Sequence, residues 1–260
     1  MIHKDIVTIS KPQGLTPLQA VKLFQKKFPK YKSSKIGYAG RLDPMAEGLL
    51  LLLLDEENKK KLYYENLVKT YEAIILLGIG TDTFDLLGKI IQFKPISNLN
   101  LDKKLSKSIN KFIGTYKQSY PPYSSVRVQG KPLFYWARED KINSITIPSK
   151  QITIDAISIN KLYYINGIQL LSYAKCNIEN VSGAFRQAEI LVGWKNFLNK
   201  HKTTSFPLVN ISVSCTSGTY IRSLANELGK SLRSNGLAYK IKRVKIGDFI
   251  LSDATNIVET

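Results

Sequence analysis

Histidine and cysteine are scarce in this 260-residue chain, with two of each. His3 lies at the amino terminus and His201 in a lysine-rich stretch, so a histidine triad or a histidine metal cluster has little material to draw on. Cys176 and Cys215 stand in no Cys-x-x-Cys arrangement, which indicates neither a disulfide framework nor a zinc site. Acidic residues are outnumbered, 20 against 38 Lys and Arg, for a formal net charge of +18. Such an excess points to a polyanionic partner, either nucleic acid or an acidic membrane face. No apolar run is long enough to span a bilayer. Residues 1–16 carry neither a signal-peptide core nor an Arg-rich amphipathic pattern, so a cytoplasmic protein is expected. Clear repeats, low-complexity tracts and linkers are also missing, which favours one domain over residues 1–260. What is abundant is apolar material, 43% of residues with 10% aromatic, enough to bury a core.

One stretch organises the chain: residues 35–54, KIGYAGRLDPMAEGLLLLLL. Gly37 and Gly40 read as punctuation in a loop. Asp43 precedes Pro44, which biases it towards extended backbone. Leu49 to Leu54 then suit a strand buried on both faces, although a buried helix fits the same periodicity. A carboxylate on a loop beside a rigid buried strand is well placed to be a fixed reactive group, but an Asp-Pro after glycines is also an ordinary turn.

The rest reads as mixed helix and strand. Ile6–Ile9 is a short strand, and Thr16 with Pro17 forms a helix start ahead of an apolar stripe at Leu18, Val21, Phe24 and Phe28. Glu56–Asn66 reads as a charged helix and Lys69–Leu77 as a strong strand. The Asp and Thr residues of 80–88 lack the twelfth-position Glu of a calcium loop, and Asp85 is expected to brace its own backbone. Leu99–Ile113 is a Lys-rich amphipathic helix closed by Gly114. Residues 118–138 interleave aromatics and cations, which suits a nucleic-acid surface as well as a basic β-hairpin. Gln151–Asn160 and Ile168–Cys176 read as strands, Ala184–Lys200 as a helix, and Val209–Cys215 as a strand leading into a helix after Gly218.

Residues 37–48 resemble the Gly-His-x-Gly-x-Leu-Asp-Pro-x-Ala-x-Gly signature of the TruB family, pseudouridine synthases that modify position 55 of transfer RNA. Gly37, Gly40, Leu42, Asp43, Pro44, Ala46 and Gly48 are in register, and Tyr38 stands where the family usually has His. The Lys-Pro-x-Gly-x-Thr opening from Lys11 to Thr16, Lys69-x-Tyr71, the Thr-Asp-Thr-x-Asp of 81–85 and Gly218-x-Tyr220-Ile221-Arg222 resemble the same family. So do the Pro-Pro-Tyr-Ser segment with Tyr123, Arg127 and Lys131, the following Phe-x-x-Ala-Arg, and Arg243 with Gly247. The proline pair sits one residue later than in the family pattern. The likeness covers residues 5–255 and is thinnest over 161–207, read as lengthened hairpins in preference to an RNA- or partner-contacting insertion.

The resemblance implies an α+β pseudouridine synthase fold, a central mixed or antiparallel β-sheet flanked by helices and loops, forming a single catalytic domain without the small RNA-binding PUA domain that many relatives carry. It implies a cofactor-free, metal-free isomerase acting on the T arm of tRNA, a monomer needing neither guide RNA nor membrane. Asp43 would be the nucleophile or base, Tyr71 would stack on the flipped uridine and Arg222 would hold Asp43 through its planar fork. Tyr38, Arg41, Lys69, Tyr123, Arg127 and Lys131 would contact RNA. Two other readings stand beside it: a non-catalytic RNA-binding protein of the same fold, and a glycosidase, which needs a second carboxylate such as Glu47.

Overall fold

A strand that is apolar at every position must be covered on both faces. Leu49 to Leu54 meet this condition as the last six residues of a nine-residue strand, and all six are buried. The computed structural model describes residues 5–97 and 99–258, so His3 lies outside the described residues. In chain order the elements begin with β1 (Ile6–Lys11), α1 (Pro17–Lys27), β2 (Ile36–Ala39), β3 (Ala46–Leu54), α2 (Lys61–Asn66) and β4 (Lys69–Leu77). Next come β5 (Ile79–Thr81), β6 (Ile90–Phe93), α3 (Leu101–Ile109), β7 (Gly114–Ser119), β8 (Arg127–Val128), β9 (Lys131–Pro132) and α4 (Leu133–Arg138). The remainder is β10 (Ser149–Asn166), α5 (Gly167–Glu179), α6 (Gln187–Lys200), β11 (Ser205–Cys215), α7 (Ile221–Ser231), β12 (Gly236–Ile246), β13 (Phe249–Ile250) and β14 (Thr255–Asn256).

Ten strands form one mixed sheet in the order β14-β1-β3-β12-β4-β11-β10-β7, with β2 on β3 and β13 on β12. The pairs β1–β14 and β3–β12 are parallel and the other pairs antiparallel. Side chains alternate between the faces of a strand, and β4 shows the consequence. Tyr71, Ala73, Ile75 and Leu77 pack with α3 and α7, while Leu76 packs with α5 and α6. Where β3 and β12 meet, Gly48 has φ +108° and a Cβ there would lie 2.3 Å from the Arg243 carbonyl oxygen, so only glycine lets the strands close.

The helix start at Thr16–Pro17 forms as expected, with the Thr16 hydroxyl accepting from the Gln19 amide in a capping box. The stripe it introduces is shifted: Pro17, Ala20, Val21 and Phe24 are buried and Leu18 is 56% exposed. Gly37 lies in β2 opposite Leu53, not in a loop. The charged helix of 56–66 is split into a 3-10 turn, Asp55–Lys60, and α2. The 99–113 helix is shorter, α3 ending in a 3-10 turn at Asn110–Phe112.

The largest correction falls on Ile168–Cys176, which is helix α5 and not a strand. Asn166 and Gln169 cap it reciprocally, and Leu170, Ala174 and Ile178, four residues apart, bury one face. The thin stretch therefore both lengthens the β10–β11 hairpin, residues 161–166 pairing with 205–210, and carries the packed helices α5 and α6 between the two strands. No described helix is long and apolar enough to cross a membrane.

Candidate active site

Asp43 sits where the chain turns into β3. Its carbonyl oxygen accepts from the Ala46 amide at 3.0 Å, and that of Pro44 accepts from the Gly14 amide at 2.8 Å, so the backbone around the carboxylate is tied on both sides. The side chain is 40% exposed. Arg222, the second residue of α7, is buried and lies 179 positions away in sequence. Its Nε donates to Asp43 Oδ2 at 2.7 Å, Nη1 to the Thr83 carbonyl at 2.7 Å and Nη2 to the Tyr123 carbonyl at 3.2 Å. Asp85 Oδ2 stands 3.7 Å from Nε. The expected fork-on-fork pairing is thus replaced by one bond to Asp43, with the other nitrogens fixed by backbone. Burial works against the Arg222 charge, but Asp43 and Asp85 outweigh it and hold its pKa above the usual value.

Asp85 braces its loop as expected: Thr83 Oγ1 donates to its Oδ1 at 2.6 Å and the Leu87 amide to the same oxygen at 3.0 Å. Burial pushes its carboxyl up to about 6, against the opposing pull of Arg222 and Thr83. Glu47 is paired with Lys240 Nζ at 3.0 Å, which removes the carboxylate that a glycosidase reading would have used.

Asp43 opens into a cleft of about 760 Å³. Tyr71, only 8% exposed, lines it from β4, where it is registered between Val213 of β11 and Arg243 of β12. Burial raises the Tyr71 pKa, so its hydroxyl stays protonated at neutral pH. Tyr38, Arg41, Lys69 and Tyr123 line the cleft too. Lys69 is buried, not a surface cation: it donates to the carbonyls of Leu67, at 2.6 Å, and Glu65, and burial lowers its pKa to about 8. Arg127 and Lys131 are not brought into the cleft. They lie on the β8–β9 hairpin, Arg127 bonded to the Gly130 carbonyl at 2.7 Å and Lys131 to the Tyr135 hydroxyl at 2.9 Å.

Two further buried cations, Arg243 on the cleft wall and Lys11, were not singled out by residue chemistry. Arg243 donates to the carbonyls of Leu49, Arg41 and Gly40 at 2.8, 3.3 and 3.0 Å. Lys11 donates to those of Pro12 and Leu15 at 2.9 and 2.7 Å, and burial lowers its pKa to about 7. Alternation along β1 is the signal that could have found Lys11, because Ile9 and Lys11 face the same side and both are fully buried.

Known proteins share this fold. The crystal structure of a Cbf5-Nop10-Gar1 complex aligns with a TM-score of 0.60 at 16% identity, over 97% of this chain and 52% of that one. An H/ACA RNP bound to a substrate RNA containing 2′-deoxyuridine aligns with a TM-score of 0.56, also at 16% identity, over 97% of this chain and 51% of that one. The fold is that of the pseudouridine synthases. Residues 26–184 match the family model of the TruB family pseudouridylate synthase (N terminal domain). The tRNA pseudouridine synthase B of Mesoplasma florum is 30% identical over 99% of this chain and 73% of its own length. That of Oceanobacillus iheyensis is 30% identical over 94% of this chain and 66% of its own. The chain belongs to the TruB family of pseudouridylate synthases.

Proposed function

We propose that this chain isomerises uridine to pseudouridine at position 55 in the T loop of tRNA, with Asp43 as the group that attacks. The observation that carries the reading is the Asp43–Arg222 contact of 2.7 Å at the floor of the cleft. In the reaction the glycosidic bond breaks, the base rotates, and C5 of the ring bonds to the ribose. C5 loses its proton as it bonds to the ribose and N1 gains one when it is released, so the composition of the nucleoside is unchanged. Asp43 is half open to the cleft while its partner is buried, so the carboxylate can reach a sugar or base without losing its cation. Tyr71 offers an aromatic face to a uridine turned out of its stack, which chemistry on a paired base requires. Tyr38, Arg41 and Tyr123 line the approach for the surrounding RNA. The net charge of +18 supplies long-range attraction to the phosphate backbone.

The partner is the tRNA T arm itself, recognised without a guide RNA by a monomeric catalytic domain in the cytoplasm. Mass mapping of pseudouridine in a defined tRNA, incubated with and without the protein, tests the proposal. A mass-silent isomerisation confined to the T-loop uridine, read after selective chemical labelling, is the expected outcome. Tight tRNA binding without any pseudouridine would favour a binding protein of the same fold.

A further inference from the structure

Helix α7 carries Arg222 and begins without a cap of its own. Its N-cap residue is Tyr220, in extended backbone, and the Tyr220 side chain makes no capping bond. In a capping box the third helical residue is a Glu or Gln that accepts from the N-cap amide. Here that residue is Ser223, whose hydroxyl donates instead to the Ser119 carbonyl at 3.1 Å. The missing acceptor comes from another element. Gln118, in β7 and 102 positions away, takes the Tyr220 amide on its Oε1 at 2.8 Å. Its Nε2 donates to the Tyr220 carbonyl at 3.3 Å. That carbonyl also accepts from the Leu224 amide at 3.0 Å, in the first turn of the helix. The orientation of the Gln118 amide is settled by its partners, since only its oxygen can accept from a backbone N–H.

The strand end that supplies Gln118 is itself fastened. β7 pairs with β10 over Gly114–Ser119, with Gln118 opposite Lys150. The Tyr120 amide extends the contact to the Pro148 carbonyl at 3.1 Å. The Tyr120 ring meets the Tyr220 ring edge-on, with centroids 5.6 Å apart. Two helical turns further along α7, Glu227 Oε2 accepts from the Tyr116 hydroxyl at 3.3 Å. Tyr116 and Gln118 share one face of β7, and Tyr220 and Glu227 share one face of α7. Two contacts at matched spacing fix both the rotation and the axial position of the helix against the strand. Gln118 is 2% exposed and is not among the residues lining the cleft, whereas Tyr220 and Arg222 line it.

We infer that Gln118 is a positioning residue for the reaction: by capping α7 from β7 it fixes where Arg222 leaves the helix, and so how the guanidinium meets the Asp43 carboxylate. The inference rests on the proposed isomerisation, in which Asp43 attacks. The far end of Arg222 is held by Asp43 and by the Thr83 and Tyr123 carbonyls. Its near end lies two residues inside a helix terminus, where unpaired amides let an uncapped first turn fray. A pair beside a reacting atom tolerates little of this, because a misplacement of about 1 Å can cost about 10²-fold in rate. A bond that served the fold alone would add stability and leave the Arg222–Asp43 contact as it is. A positioning bond changes that contact when it is removed.

Gln118→Leu removes both bonds to Tyr220 at similar volume. Gln118→Met, which keeps the length of the side chain, takes its place if that variant fails to fold. The proton–nitrogen NMR signal of the Arg222 Nε–H, assigned by its loss in Arg222→Lys, reports the contact without any turnover. In Gln118→Leu this signal should shift and exchange with solvent about tenfold faster, the scale of one lost helix cap. The single-turnover rate of pseudouridine formation in a T-arm stem-loop should fall by about tenfold, while Kd for the same RNA stays within about twofold. In an Arg222→Lys background Gln118→Leu should cost less than about twofold, since both changes act through one contact. An unmoved Arg222 signal, or a rate loss repeated in full in the Arg222→Lys background, overturns the positioning role and leaves Gln118 as part of the fold alone. Absence of pseudouridine from the wild-type reaction overturns the proposed isomerisation, and the Arg222 signal then still decides the positioning.

Discussion

Two buried arginines flank the cleft, and the protein uses them oppositely. Arg222 is held between carboxylates, 2.7 Å from Asp43 and 3.7 Å from Asp85. Arg243 gives its bonds to the carbonyls of Gly40, Arg41 and Leu49. A guanidinium on a half-exposed carboxylate leaves a charged group facing the cleft, and its worth lies in what that group can do. The Arg243 guanidinium also lines the cleft, but the donors it turns to the backbone hold carbonyls and not a carboxylate. It ties the loop of residues 40–43 to β3 and β12, where the lost bonds of a turn would otherwise be buried unmade. The difference is one between charge placed for chemistry and charge placed for backbone, at sites that both look like buried Arg.

The strongest way to break this contrast is to change Asp43. Asp43→Asn keeps the shape and removes the charge, so pseudouridine formation should fall by about 10³-fold or more while tRNA affinity survives. Mass mapping with enzyme checked free of deamidation decides it, and retained turnover would end the proposed role. Arg243→Met should act on stability instead. Leaving three carbonyls without donors should cost about 3–5 kcal/mol in urea unfolding, and a variant as stable as the wild type would erase the contrast. Arg222→Lys keeps the charge but cannot reach Asp43, Thr83 and Tyr123 together. Its single-turnover rate should drop about 10²-fold, with a smaller loss of stability than Arg243→Met.

Asp85 sharpens the carboxylate side. Its carboxyl is pushed from 3.8 to about 6, so the folded state holds a proton that the unfolded chain has lost. That contribution is complete below pH 3.8 and disappears as pH rises through about 6. In the wild type it should amount to roughly 3 kcal/mol across the window, and Asp85→Asn should flatten the pH dependence of unfolding there. A slope unchanged by the substitution would mean that Arg222 dominates the Asp85 carboxyl. The smallest effect is expected at Tyr38, in β2 at the cleft wall. Tyr38→Phe should keep the single-turnover rate within about threefold, and Tyr38→Ala should lose about tenfold if the ring stacks on RNA. Equal, near-total losses would show that the hydroxyl is required.

Much of the architecture was legible because it rests on local rules. Six leucines in a row suit a strand covered twice or a buried helix, and the structure has the strand, β3. Thr16 and Pro17 fix a helix start, and the β-formers Thr70, Tyr71, Ile74 and Ile75 mark β4 over the range it takes. What failed locally was Ile168–Cys176, where apolar and β-rich residues outweighed the capping pair Asn166 and Gln169 in the reading. For Arg127 and Lys131 the resemblance implied RNA contact, and the fold adds only that they lie on the exposed β8–β9 hairpin outside the cleft, Arg127 bonded to the Gly130 carbonyl.

By itself the sequence determined the residue types, the signature around Asp43 and the family to which it points, since these depend only on order along the chain. Tertiary structure alone decided the partners. Asp43 and Arg222 come together across 179 positions because Asp43 leads into β3 and Arg222 lies in α7, which leads into β12, the strand paired parallel to β3. The burial that raises the Asp85 carboxyl and lowers Lys11 and Lys69 is likewise a property of the packed core. So is the capping of α7 by Gln118 of β7, which no local periodicity encodes. Desolvation and long-range contact exist only once the sheet has closed, because each needs atoms that the linear chain keeps far apart.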